Sequence, residues 1–241
     1  MSEAALCFLG IAGLLLLVLA IDWFSKLRSF QCFGRIVSRI KTKERVVALT
    51  FDDGPNPPHT ERILAVLNDR LVKATFFLVG RHVQLYPDTV RRIAGAGHAI
   101  GNHSYSHRRL VFKHHRFVRR EIVLTDRALR RAGVAGRIPF RAPNCRKLLV
   151  LPYVLSTMDR LHVSFDVLPS PSEYYGAPAD VVCRYVLRHV RPGSIVVLHD
   201  GSHDRPRDRS NVIEATKLVL DGLTSAGYRF VTVPELLSLR S

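Results

Sequence analysis

The chain is poor in the residues that mark several common protein classes. Its four cysteines, Cys7, Cys32, Cys145 and Cys183, are far apart and irregularly placed. That excludes a disulfide framework and any Cys-x-x-Cys metal site. Trp23 is its only tryptophan, and glycine and proline together number 28 in 241 residues, too few for a collagen-like or linker-dominated chain. No internal repeat occurs, and no low-complexity segment lies outside an apolar amino-terminal run. Acidic residues are scarce beside basic ones, 20 against 36. No helix-turn-helix, zinc-finger or RNA-binding motif accompanies that excess, so nucleic acid is not an expected partner.

The basic surplus is local. Residues 22–45 carry a net charge of +5 and residues 108–147 a net of +11, which together account for the whole +16. Such a field suits an anionic partner such as lipid headgroups or a phosphorylated carrier. The bland alternative for the second block is a solvated basic face.

Ala4 to Ile21 is eighteen residues without a charge, roughly 27 Å as a helix and close to the thickness of a bilayer core. No Lys or Arg precedes it, and it ends on bulky Ile21-Asp22-Trp23-Phe24, unlike a signal-peptide cleavage site. We therefore expect an uncleaved single-pass anchor over 1–24 and a basic juxtamembrane linker over 25–45. The basic flank lies wholly after the span, which places the carboxyl-terminal domain in the cytoplasm by the positive-inside tendency. An extracytoplasmic domain is the alternative.

From residue 46 to 241 we expect one domain. Short apolar runs (Val46–Phe51, Ala74–Val79, His98–Gly101, Pro139–Arg141, His162–Asp166, Ser194–Leu198, Arg229–Val231) alternate with amphipathic segments (Thr60–Arg70, Pro87–Ala96, Arg116–Ala132, Pro178–Val190, Ser210–Ala226). This alternation predicts an α/β fold with a parallel sheet, and seven strand candidates suggest a closed or nearly closed barrel. Polar residues fall at the carboxyl ends of the predicted strands, where they would share one face.

Asp52 and Asp53 are adjacent carboxylates whose repulsion a bound cation would relieve. His103-Ser-Tyr-Ser-His107 offers two imidazoles one helical turn apart. Two histidines and one carboxylate make a zinc-type set with a position left for water, which supports hydrolysis. If Asp53 is the ligand, Asp52 is left as base; His199 is the natural acid. Arg141 could fix Asp52, and Asp166 could hold His199 protonated.

These residues carry a resemblance. LTFDDGP (Leu49–Pro55), HSYSH (His103–His107), FRAP (Phe140–Pro143) and VVLHDG (Val196–Gly201) resemble, in order and spacing, the motifs of NodB-type polysaccharide deacetylases, carbohydrate esterase family 4. The resemblance covers roughly residues 45–235. It implies a distorted (β/α)7 barrel, a divalent metal (most often zinc), and removal of N- or O-acyl groups from amino-sugar substrates. By motif, Asp52 is the base, Asp53, His103 and His107 the metal ligands, Arg141 the residue that orients the base, and His199 the acid. A backbone N–H near Asn144 would meet the acyl oxygen, and Val197 and Leu198 would wall the acyl methyl. Two features depart from the family. Asn144 stands where an aromatic residue is usual, and the Asp-x-x-Asp-Trp element is absent, with Asp166 and Glu173-Tyr174 as stand-ins. The expected function is metal-dependent deacetylation of an amino-sugar glycan or, for a cytoplasmic domain, a lipid-linked sugar. A catalytically altered sugar-binding or membrane-scaffold module is the alternative. Phosphoester hydrolysis would call for a second metal, and the motifs offer too few spare carboxylates. No protein partner is expected.

Overall fold

A computed structural model describes residues 2–169, 176–202 and 209–239. The elements are α1 (Glu3–Ser25), β1 (Ile36–Val37), β2 (Val46–Asp52), α2 (His59–Asp69), β3 (Thr75–Leu78), α3 (Gly80–Leu85), α4 (Pro87–Gly95), β4 (Ala99–Asn102), α5 (His115–Arg131), a 3-10 turn (Pro143–Cys145), α6 (Val150–Thr157), β5 (His162–Val163), α7 (Ala179–His189), β6 (Ser194–His199), α8 (Ser210–Ser225), β7 (Arg229–Phe230) and α9 (Val233–Ser238).

The sheet is parallel, as expected from the alternation. Its main path runs β4-β3-β2-β6, with β7 on the lower end of β2, while β1 pairs with β5. Single bridges extend the path: Asn102 to Phe140, Phe140 to His162, and Val167 to Val196. Six of the seven expected strand segments are present as β2 to β7, some cut short, and a bridge from Arg39 to Ser194 closes the ladders and bridges into a ring. Pro139–Arg141 is reduced to one bridging residue, Phe140, although the Phe140 N–H still donates to the Leu161 carbonyl and the Arg141 N–H to the Asn102 carbonyl, each at 2.9 Å.

Both faces of the sheet are covered, so its strands read as continuous apolar runs rather than alternating ones. Val47, Leu49 and Phe51 pack outward against α2, α7 and α8, while Val46 and Ala48 face inward with Phe77, Ile195 and Val197. This period of two continues to Thr50 and Asp52, which therefore point into the ring. The outward rings of Phe51 and Phe76 stack with centroids 5.0 Å apart, and burial of one such side chain contributes about 1.5–3 kcal/mol.

The segment 25–45 is not a linker. Ile36 and Val37 form β1, Ile40 is buried, and the His162 Nδ1 lies 2.7 Å from the Gln31 side-chain oxygen. Its basic composition hides two apolar side chains, Val37 and Ile40, that complete the inner core. α1, by contrast, leaves the domain above its foot at Asp22 and Ser25: Cys7–Ser25 is the one described helix long and apolar enough to cross a membrane, and none of its apolar window is buried.

Two histidines of the body are buried neutral. Burial and the nearby Lys73 charge push His98 down to about 4, and burial with the Lys147 and Arg141 charges pushes His162 down to about 3. The unfolded chain would protonate both near pH 6.5, so between pH 6.5 and 4 it binds protons that the folded chain refuses. The stability these two histidines contribute is complete above pH 6.5 and is lost as pH falls, by up to about 1.4 kcal/mol per pH unit for each. Urea titrations across that window should show the decline, and His162→Asn should remove its share. A flat profile would contradict the neutral assignment.

Candidate active site

Parallel strands put their carboxyl ends on one edge. There β2 delivers Asp52 and Asp53, β4 delivers His103 just past Asn102, and β6 delivers His199. Asp52 and His199 are direct register partners. A cavity of about 370 Å³ opens over them, with Asp52, Asp53, His103, His107, Asn144 and His199 in its wall.

Asp53, His103 and His107 are all buried, and one ligand atom from each lies within 4.8 Å of the others. The Asp53 Oδ1 is 3.0 Å from the His107 Nε2 and 3.5 Å from the His103 Nε2. The His103 Nδ1–H donates to the Arg141 carbonyl at 3.0 Å, which fixes the tautomer and turns Nε2 toward Asp53. Burial opposes charging of His103, but the Asp52 and Asp53 carboxylates outweigh it and hold the imidazole pKa above its ordinary value. Two buried carboxylates that draw a proton onto a neighbouring imidazole create a place for a cation, and the donor set fits a divalent ion.

The two imidazoles converge through a loop, not the expected helical turn. Residues 103–107 are non-helical, with Ser104 and His107 at positive φ (63° and 56°). Glu121 of α5 holds the loop: its carboxylate accepts from the Tyr105 and Ser106 backbone N–H groups at 3.1 and 2.8 Å, and from the Ser106 hydroxyl at 3.0 Å. Asn102 accepts from the Ser104 N–H at 2.9 Å. Asp53 itself sits at φ 76° and Asn144 at φ 55°. Such left-handed backbone at non-glycine residues costs about 1–3 kcal/mol each and gathers at functional sites. Gly201 allows the close approach of the two strand ends, since a Cβ there would collide with the Asp53 carbonyl.

Glu121 was not foreseen, because one of two acids in a basic helix reads as charge balance. Replacing it with Ala should weaken metal affinity by about 10–100-fold, as loss of a group that orients ligands does. Titration with a chromophoric chelator would measure this, and an unchanged affinity would remove Glu121 from the site.

Asp52 is 3% exposed. Its Oδ1 accepts from the Arg141 Nη1 at 2.7 Å, and its Oδ2 lies 3.8 Å from the His103 Nε2. Arg141 is itself buried: it donates to the Thr50 hydroxyl at 2.7 Å and to the Ser164 carbonyl at 3.1 Å, and lies 3.9 Å above the Phe77 ring. Burial pushes His199 down to about 4 against the pull of Asp53 and Asp52, so it is neutral at neutral pH.

A third buried carboxylate, Asp200, accepts from the Thr60 hydroxyl at 2.5 Å. Burial, with repulsion from Asp53 and Asp52, raises it to about 7. Its signal in the sequence was the acid after His199, to which the sequence alone attached no role. Cys145 also lines the cavity, but burial pushes its thiol up to about 12, which rules it out as a nucleophile.

Three sequence-based assignments are corrected. Asp166 does not meet His199: its carboxylate accepts from the Ser194 hydroxyl at 2.8 Å and the Ile195 N–H at 2.9 Å, at the start of β6, roughly 13–16 Å from the His199 end. Val197 and Leu198 do not wall the cavity. Strand alternation turns Val197 into the inner core and Leu198 out toward the helices, and the apolar lining comes instead from Ala142, Phe165, Leu168 and Pro169. Glu173-Tyr174, the suggested substitute for an Asp-Trp pair, lies outside the described residues.

Comparison with known proteins agrees with this arrangement. A family model described as polysaccharide deacetylase matches residues 39–159. A peptidoglycan-N-acetylglucosamine deacetylase of Bacillus cereus is 35% identical over 196 residues, covering 79% of this chain and 67% of the relative. A chitooligosaccharide deacetylase of Rhizobium leguminosarum bv. trifolii is 34% identical over 204 residues, covering 80% and 92%. A solved peptidoglycan N-acetylglucosamine deacetylase structure superposes with a TM-score of 0.76 at 32% identity, covering 83% of this chain and 92% of that one. With its parallel α/β fold and its buried Asp-His-His cluster, the chain belongs to the polysaccharide deacetylase family of hydrolases.

Proposed function

We propose that the chain removes N-acetyl or related acyl groups from amino sugars, using a divalent ion held by Asp53, His103 and His107. The observation that carries this reading is the meeting of those three side chains with Asp52 and His199 in one cavity, with the buried Arg141 paired to Asp52 behind its wall. A divalent cation bound there polarises an acyl oxygen and lowers the pKa of water, and zinc suits two imidazoles and a carboxylate. Asp52, steadied at Oδ1 by Arg141, takes a proton from the attacking water through Oδ2. His199 first takes up a proton from solvent, drawn by the Asp52 and Asp53 carboxylates, and delivers it to the departing nitrogen; burial makes the charged ring a ready donor, and Asp52 returns its own proton to solvent. The backbone N–H of Asn144 faces the acyl oxygen. The C–N bond breaks, a C–O bond forms, and free acid and amine leave.

α1 is proposed as a retained anchor, because its foot is fastened to the domain. The Ser25 carbonyl accepts from the Lys147 N–H at 2.9 Å, the Leu27 carbonyl from the Lys147 ammonium, and Asp22 pairs with Arg146. The basic flank favours a cytoplasmic domain acting on a lipid-linked amino sugar, and a reporter fused to the carboxyl terminus reads the side directly. Purified full-length protein should release acetate from N-acetylated amino sugars, lose that activity to a chelator and regain it with zinc. Stoichiometric metal without acyl release from lipid-linked or soluble substrates would favour a binding or scaffold module.

A further inference from the structure

The deacetylase chemistry does not use the mouth of its own cavity. Lys26, Arg28, Arg109 and Arg146 line it, beside the residues that do the chemistry. Lys26 and Arg146 share one carboxylate, Asp22. Arg28 and Arg109 have no carboxylate partner among the described residues. Arg28 is held in place by the Phe165 ring, 4.9 Å from its guanidinium, and Phe165 also meets Arg141 at 5.4 Å. Among the described residues Phe165 is the one Phe, Tyr or Trp of the cavity wall, and two guanidinium groups engage it, while the exposed Asn144 offers no ring for a sugar to stack on. Among the described residues, four cations against one shared anion leave a surplus of three positive charges at the entrance.

From this we infer that the cavity mouth is a phosphate subsite, centred on Arg28 and Arg109, and that the substrate is a phosphate or diphosphate ester of an N-acylated amino sugar. Arginine forks match phosphate oxygens in pairs, and a diphosphate offers charge comparable to the surplus. The inference rests on the deacetylase reading for the sugar end of the substrate, whereas the subsite rests on the arginines alone. Its position adds a constraint. Lys26 and Arg28 follow directly on α1, so a phosphate held there lies where the apolar helix ends.

The test uses the full-length protein in detergent or nanodiscs, with Arg28→Glu, Arg109→Glu and the double variant, plus Arg28→Lys to check for rescue. Turnover is compared on an N-acetylglucosamine diphosphate carried by a polyprenol, on soluble N-acetylglucosamine 1-phosphate, and on the neutral methyl glycoside. Pyrophosphate binding is followed by calorimetry, with metal content and thermal unfolding measured for every variant. The wild type should favour the phosphate-bearing sugars. The double variant should lose at least tenfold more kcat/KM on them than on the neutral glycoside, chiefly through KM, and pyrophosphate binding should weaken in parallel at unchanged metal content. Equal use of both phosphate esters assigns the subsite to phosphate alone, and preference for the polyprenyl ester extends it to lipid. Parallel losses on charged and neutral sugars, or wild-type indifference to phosphate, overturn the subsite while leaving the deacetylase reading intact. Pyrophosphate binding that depends on both arginines, with no acyl release from any sugar, upholds the subsite and overturns the deacetylase reading.

Discussion

Replacing His103 with Ala should remove bound metal and acyl hydrolysis together. His103 supplies one of three ligand atoms within 4.8 Å, and its Nδ1 anchors that atom to the Arg141 carbonyl. With two ligands left, the site can no longer grip a divalent ion, and the Lewis-acid contribution of several kcal/mol disappears, a loss of about 10³-fold or more. The imidazole is polar, sits at the rim of the sheet and belongs to none of the apolar clusters, so the fold should persist. Metal analysis, acetate release and circular dichroism on the same preparation separate the outcomes. Full metal occupancy in a folded, active variant would dismiss the proposed ligand set.

Asp52→Asn should behave differently, keeping metal while losing turnover by about 10²–10⁴-fold, the usual worth of a general base. The amide retains the shape and an oxygen for the Arg141 Nη1, but it cannot take a proton. It also leaves a buried guanidinium without its counter-charge. Breaking such a pair costs about 3–5 kcal/mol where nothing compensates, and the retained hydrogen bond and the Phe77 face should reduce that. The variant is therefore expected to unfold at a lower temperature, and turnover must be measured well below that point. Activity retained at normal metal content would move the base elsewhere.

The contrast between these two variants bears on what the sequence could disclose. Short motifs with fixed side-chain chemistry were legible: the LTFDDGP, HSYSH and VVLHDG segments end or follow strands whose parallel pairing makes them converge. The long amphipathic helices were legible too, since Val118, Ile122, Thr125 and Leu129 of α5 share a buried face. Short or disguised elements were not. β1 is two residues in a basic stretch, α3 is a six-residue helix, and α6 carries Pro152 and apolar residues on all sides, which leaves no clear period. Asp166, Val197 and Leu198 were misplaced for one shared reason. Their roles depended on which end or face of a strand they occupy, and a run buried on both sides does not show that. Glu121 was invisible because its partners are two backbone amides and one serine hydroxyl, which leave no trace in side-chain spacing.

Arg141 performs two tasks with different parts of itself. Its guanidinium holds Asp52, and its carbonyl holds the His103 ring. The proton acceptor and the metal grip thus share one mount, and neither can drift without dragging on the other. Their relative alignment is built into a single residue rather than negotiated between two, and any change in how residue 141 sits will throw both out of true at once.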